Sequence, residues 1–420
     1  MADKVKILAY CDFACATGFS TVATNILTEL HNTGKYDVVV LGINHHGFLH
    51  PYPFPVYPVG VAGSGDRDPY GRKWVAQMMK SQEYDILFTI QDSFILEFMA
   101  EVISDLRQKN PRMKWINYFP VDGLPKKKWL DAMALADYPV TYTKWAVEQC
   151  EKVCPEMQNK IRYIYHGINT KDFFPLTLDD AQLFKSEYFG PLASKFLVVQ
   201  VNRNQQRKDI PRGMVAFREF NKMHPESVFY VHAAVVDHGW NLLDVAKTVG
   251  LEPNVNICFP DNFGPNQGFP VEIVNRIYNA ADVVMSSTTG EGWGLAQTEA
   301  MACCKPVISP DNTACTEIMG DDRGLLVKSG KDINLHTILP NDNEVVRPLI
   351  DINDMIAKLC FVHEKRAEAQ KLALNGYKWV TSSLRWDKNI VPAWKALFEE
   401  AQEAASSPVE SEKAVAFMEV

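Results

Sequence analysis

The sequence has no apolar run approaching the roughly 20 residues that a membrane-spanning helix needs. It has no excess of positive charge: 43 lysines and arginines stand against 51 aspartates and glutamates, for a formal net charge of −8. That balance argues against a surface built to coat nucleic acid, while leaving room for a local basic patch. It has no C-x2-C pair. Cys11/Cys15 and Cys150/Cys154 lack that zinc-ligand spacing, and no metal site is expected. The nine cysteines are scattered and odd in number, which suits reduced thiols in a cytosol. There is no long internal repeat, and residues 1–6 lead into a strand rather than a leader peptide. These absences lead us to expect a cytoplasmic protein, soluble or peripherally attached to a membrane.

What is present is a chain of 420 residues, 47% hydrophobic and 22% charged. That length suits two domains of roughly 150–200 residues each. Short apolar runs alternate with amphipathic stretches, the pattern of an α/β protein with parallel sheets. Strands are expected at residues 5–10, 36–43, 86–90, 114–119, 138–141 and 161–165, then at 196–201, 228–233, 255–259, 282–286 and 307–309. Helices are expected at 21–30, 94–109, 129–136, 214–223, 271–279, 295–304 and 386–404, among others. The first helix takes Ser20 or Thr21 as its N-cap. Glycine, asparagine and proline between His166 and Pro175 mark a turn and a domain boundary.

The densest chemistry lies at residues 280–326. A strand over 282–286 is followed by a turn from Thr288 to Gly294, which holds Glu291, Gly292 and Trp293, and Leu295 opens a helix carrying Thr298 and Glu299. Gly292 and Gly294 can take positive φ and leave the backbone open to a ligand. A helix N-terminus with free N–H groups binds phosphate. Glu299, about two turns further on, can accept hydrogen bonds from ribose hydroxyls, and Glu291 can do the same for a sugar. Spacing alone fits equally well a plain strand–turn–helix with two solvated glutamates.

The run E-G-W-G-L-A-Q-T-E-A-M-A-C-C-K-P-V-I, followed by T-E-I and G-L-L, resembles the donor-site signature of family four GT-B glycosyltransferases. The resemblance implies two Rossmann-like domains facing a central cleft: residues 1–168 on the acceptor side and 169–380 holding the donor. Helix 386–404 would pack back on the first domain, and 405–420 would be a disordered tail. It implies transfer of a sugar from a nucleotide-sugar co-substrate, UDP- or GDP-hexose foremost, with retained anomeric configuration and without metal or another cofactor. Glu299 would bind ribose. Glu291 and the backbone from Gly292 to Leu295 would bind sugar and phosphates, with Trp293 and Thr298 counted in the same donor-binding set. Arg203 and Lys208, in N-R-N-Q-Q-R-K-D after strand 196–201, match the basic pair that relatives place on the diphosphate; Arg207 can substitute for either. Gly18 would face the donor phosphates. Asp122 stands where many relatives have a histidine near the transferred sugar, and could position or deprotonate an acceptor hydroxyl. H-G-I-N-T-K-D-F-F-P resembles the family's junction segment, with His166 in place of asparagine. The loop 260–270 would border the nucleobase.

The acceptor stays open. Lys126, Lys127 and Lys128 form a dense basic run that could attract an anionic acceptor, including a hydroxylated nucleic-acid base. A non-catalytic nucleotide-sugar-binding protein on the same fold is a further alternative. His45, His46 and His50 are read as loop histidines, because no carboxylate or cysteine completes a ligand set. Residues 327–347 match no motif.

Overall fold

A computed structural model describes residues 4–264 and 267–406. The segment 407–420, most of the expected tail, lies outside the described residues, as do residues 265–266 of the expected base loop.

The amino-terminal sheet has seven parallel strands: β1 (Val5–Asp12), β2 (Tyr36–Ile43), β3 (Val56–Gly60), β4 (Ile86–Ile90), β5 (Lys114–Phe119), β6 (Tyr138–Thr141) and β7 (Arg162–Tyr163). Their spatial order is β3-β2-β1-β4-β5-β6-β7. The order reverses beside β1, so ligands are expected in the crevice at the carboxyl ends of the strands there. Parallel strands are covered on both faces and need apolar residues on both. In β1, Ile7 and Ala9 join one core while Leu8 and Tyr10 join another. Helices α1 (Gly18–Asn32), α2 (Arg72–Ser81), α3 (Met99–Lys109), α4 (Lys127–Met133) and α5 (Lys144–Val153) belong to this half.

The second half opens with α6 (Leu178–Phe189) and holds a six-stranded parallel sheet. Its strands are β8 (Phe196–Val201), β9 (Ser227–His232), β10 (Ile257–Cys258), β11 (Val283–Met285), β12 (Val307–Pro310) and β13 (Leu325–Val327), in the order β10-β9-β8-β11-β12-β13. Helices α7 (Ile210–Met223), α8 (Leu242–Val249), α9 (Val271–Ala280), α10 (Leu295–Ala302) and α11 (Thr313–Met319) surround it. An antiparallel hairpin, β14 (His336–Ile338) and β15 (Val346–Pro348), precedes α12 (Ile352–Glu364) and α13 (Arg366–Ser383).

The chain then returns to the first half. Ile168 donates its N–H to Leu384 and accepts from Trp386 N–H, and a Cβ on Gly167 would lie 2.3 Å from the Trp386 ring. The expected single helix over 386–404 is instead a π-turn (Trp386–Ile390) followed by α14 (Val391–Ser406). Trp394 and Phe398 of α14 pack on Phe88 of β4, and Arg162 binds Glu400. One apolar core therefore runs through both halves and fixes the cleft between them.

Candidate functional site

The cleft encloses about 960 Å³. Its two walls differ in charge: the amino-terminal wall is acidic, while the other mixes cations with Asp237, Glu291, Glu299 and Asp342. Strand ends of the amino-terminal sheet contribute Asp12, Asp92 and Asp122; the segment after β8 contributes Arg203, Arg207 and Lys208.

Glu291 is 6% exposed and sits where the two walls meet. Lys208 Nζ donates to its Oε1 at 2.5 Å, and Arg207 Nη1 lies 3.3 Å from Oε2. Its own backbone N–H is held by Thr313 Oγ1 at 2.9 Å, which fixes the loop. Burial pushes this carboxyl up, but Lys208 and Arg207 outweigh it and hold it below the ordinary range. Burial and the neighbouring Arg207 pull Lys208 down against the attraction of Glu291.

Gly294 caps α10 with φ of 107° and offers no side-chain cap. The first-turn amides of Leu295 and Ala296 accordingly carry no hydrogen bond among the described residues, and both residues line the cleft. Gly292 does not adopt positive φ, contrary to the sequence reading. Its constraint is close approach: a Cβ there would lie 2.8 Å from Pro120 Cβ, and one on Gly290 would lie 2.0 Å from the Asp122 carbonyl oxygen. These glycines let the donor loop touch the opposite domain.

Gly18 lies in the first turn of α1 rather than in the preceding loop; the N-cap is Thr17, whose hydroxyl accepts from Ser20 N–H. Gly18 still faces the donor helix, since a Cβ on it would meet Leu295 Cδ1 at 3.2 Å. Trp293 is 3% exposed and packs against Tyr165 and His166, with ring centroids 5.2 and 5.6 Å away. Thr298 is buried, does not line the cleft, and donates its hydroxyl to the Leu295 carbonyl at 3.0 Å. The structure therefore separates it from the other donor-set residues.

Glu299 accepts one hydrogen bond, from Tyr278 Oη at 2.8 Å. Burial pushes its carboxyl up to about 7, and that single bond only partly opposes the shift. Arg203 is gripped by Asp237 through Nε at 2.7 Å and Nη2 at 3.3 Å. His166 is buried, and its Nδ1 lies 2.7 Å from Tyr118 Oη. The same hydroxyl lies 2.7 Å from the Ile164 carbonyl oxygen. Burial drops this imidazole to about 3, so it is neutral.

Sequence reasoning missed three features. Arg207 bridges the domains, with Nε 3.0 Å from Asp122 Oδ2 as well as its contact to Glu291. Arg347, 4% exposed at the side chain, comes from the unassigned stretch; its Nη1 lies 3.1 Å from Asp122 Oδ1, and Asp342 holds Nε at 2.6 Å. A single arginine inside a polar stretch gave no pattern to find. The third is His232, which joins Phe263 and Phe269 of the expected base loop on the cleft wall, with ring separations of 4.7–5.2 Å. Between Arg207 and Arg347, the Asp122 carboxyl is held below the usual range despite burial, which makes it a weak proton acceptor.

The basic run is neutralised in pairs. Lys126 meets Glu344 at 3.0 Å, Lys127 meets Asp131 at 2.5 Å, and Lys128 meets Glu97 at 3.5 Å. His45, His46 and His50 belong to no metal-capable grouping among the described residues. Those that exist, around His224 with Glu226 and His363 or with Cys360 and Glu364, do not line the cleft. No helix among the described residues is long and apolar enough to cross a membrane.

Residues 264–336 match the family model described as "Glycosyl transferases group 1". The chain is 25% identical over 224 residues to the "Putative glycosyltransferase EpsD" of Bacillus subtilis, covering 52% of this chain and 53% of that protein. It is 24% identical over 225 residues to "Uncharacterized glycosyltransferase 335" of Sulfolobus islandicus rod-shaped virus 1, covering 52% and 61%. The match thus spans little more than half the length of these curated relatives. Among solved structures, HepE of Anabaena, in complex with UDP and glucose, superposes with a TM-score of 0.70 at 16% identity, over 94% of this chain and all (100%) of that one. Sucrose-phosphate synthase of Thermosynechococcus elongatus gives 0.71 at 16% identity, over 96% and 100%. The fold is GT-B, with two Rossmann-like α/β domains.

Proposed function

We propose that this chain is a glycosyltransferase that moves a hexose from a nucleotide-sugar donor to an acceptor hydroxyl, with retention of anomeric configuration. One observation carries the reading: Arg203, Arg207, Lys208, Glu291 and the uncapped start of α10 converge on one cleft, with Glu299 also on its wall. Cations at a helix N-terminus suit a diphosphate, because both stabilise negative charge that grows as the leaving group departs.

In this reading Arg203 and Lys208 take the diphosphate, and the Leu295 and Ala296 amides complete its cradle. Glu299 ionises to accept the ribose hydroxyls. Glu291 orients the sugar. The His232, Phe263 and Phe269 group stacks on the base. HepE was solved with UDP and with UDP-glucose, which makes UDP-glucose the first donor to try. Neutral pairing of Lys126, Lys127 and Lys128 leaves a nucleic-acid acceptor without structural support.

A thermal-shift panel of UDP-, GDP-, ADP- and dTDP-sugars tests the reading. A donor at about 100 times its Kd stabilises the fold by roughly 2.7 kcal/mol. A shift with one nucleotide, accompanied by slow nucleoside diphosphate release, supports a transferase. A shift without release at any enzyme concentration favours the non-catalytic alternative, and no shift with any donor overturns the reading.

A further inference from the structure

The acceptor wall presents three carboxylates in different states. Asp12 accepts hydrogen bonds from Gln91 Nε2 and Asn44 Nδ2, both at 3.2 Å. Asp122 is clamped by Arg207 and Arg347. Asp92 has neither kind of partner: its carboxylate makes no hydrogen bond or ion pair among the described residues. Its backbone is nevertheless fixed just beyond β4. The N–H donates to Gln91 Oε1 at 2.9 Å, and the carbonyl accepts from Ile95 and Leu96 N–H at 3.0 and 3.2 Å. It lines the cleft beside Phe94 and Trp129, whose rings lie 5.9 Å apart.

The geometry points to Asp92 as a further catalytic residue, the group that receives the acceptor hydroxyl's proton. The inference rests on the transferase reading above. The acceptor oxygen bonds to the anomeric carbon on the face from which the phosphate departs, so the configuration is kept. The bond from that carbon to the phosphate oxygen breaks, and its electron pair leaves with the nucleoside diphosphate. The proton passes to an Asp92 carboxylate oxygen. An unpaired carboxylate on a fixed backbone can take this hydrogen bond without first giving up a protein partner.

Charge around Asp92 supports the assignment. Asp12 and Asp122 face it from β1 and the end of β5, and Arg207 and Arg347 from the donor domain. Tyr70 faces it from ahead of α2, and Tyr142 from just after β6. Burial, then repulsion from Asp122, pushes its carboxyl up to about 7 against the pull of Arg207. A base of that strength is better matched to neutral pH than the clamped Asp122.

The test uses the whole chain with UDP-glucose, or with whichever nucleotide sugar of the panel shifts the wild type, and water as the acceptor probe. Asp92→Asn should bind the donor with an unchanged thermal shift, while nucleoside diphosphate release falls about 100-fold at pH 8. With donor saturating at every pH, so that the ionisation of Glu299 on binding does not enter, the wild-type rate should fall on acidification through about pH 7. That limb should vanish in Asp92→Asn and return in part in Asp92→Glu. Donor binding by both proteins with equal release, or an acid limb retained in Asp92→Asn, overturns the Asp92 assignment alone. A wild type that binds no nucleotide sugar overturns the transferase reading, and this inference with it.

Discussion

Replacing Lys208 with Met removes one partner of a pair whose side chains are 11% and 8% exposed and 2.5 Å apart. Breaking a buried pair from one side costs about 3–5 kcal/mol, because the remaining charge loses its compensation. Arg207, 3.3 Å from the other Glu291 oxygen, retains part of that compensation. Glu291 can also escape by taking a proton. At pH 7, protonating a glutamate of ordinary pKa 4.5 costs about 3.4 kcal/mol, which caps the penalty. We therefore expect about 3 kcal/mol, or a fall in Tm of about 6–12 °C for a domain of roughly 200 residues that unfolds as its own unit. The sign with pH follows from Glu291, whose folded pKa is depressed. Its contribution is present above the unfolded value and lost as pH falls through the folded one. The gap between Lys208→Met and wild type, followed by circular dichroism melts, should be full at pH 7–8 and should shrink as pH falls below the ordinary glutamate value of 4.5. A fall in Tm under about 2 °C, or a gap of equal size at both ends, would refute the reasoning.

Three other outcomes are expected. Glu299 has a raised carboxyl in the folded chain, so wild-type stability should decline as pH rises from about 4.5 through 7. Glu299→Gln should flatten that decline in melts and abolish proton release on donor binding in calorimetry. Gly290→Ala places a Cβ 2.0 Å from the Asp122 carbonyl oxygen, and backbone cannot yield cheaply. Donor affinity should drop at least about tenfold, with a cost of about 1–3 kcal/mol in stability, and an unchanged Kd would count against the close approach. Thr298→Val should leave donor Kd within about twofold, because the hydroxyl serves the Leu295 carbonyl and not the cleft; a larger loss in the same titration would return Thr298 to the binding set.

Much of the architecture was legible because parallel strands buried on both faces are apolar throughout. β2 falls at Tyr36–Ile43, as the sequence suggests, and the strand–turn–helix around Glu291 is where its glycines place it. Helix α6 escaped notice because its apolar positions are few and it carries a weak amphipathic pattern; Thr177 caps it by accepting from Asp180 N–H. The start of α1 was misplaced because Gly18 and Phe19 looked like loop residues, yet Thr17 supplies the cap. At the site, sequence pattern located Glu291, Glu299, Arg203 and Lys208 near one another. It could not show that Arg207 and Arg347 would clamp Asp122, since those contacts join residues more than 80 positions apart. Nor could it show that Gly290 and Gly292 answer to steric contact with Pro120 and Asp122 instead of to φ.

The most direct test is a crystal structure of the chain with the nucleotide sugar that gives the largest thermal shift. The account predicts diphosphate oxygens within about 3 Å of Arg203, Lys208 and the Leu295 and Ala296 amides, with ribose on Glu299. A nucleotide bound elsewhere, or seated in the cleft with its phosphates turned toward Asp12, Asp92 and Asp122, would contradict it.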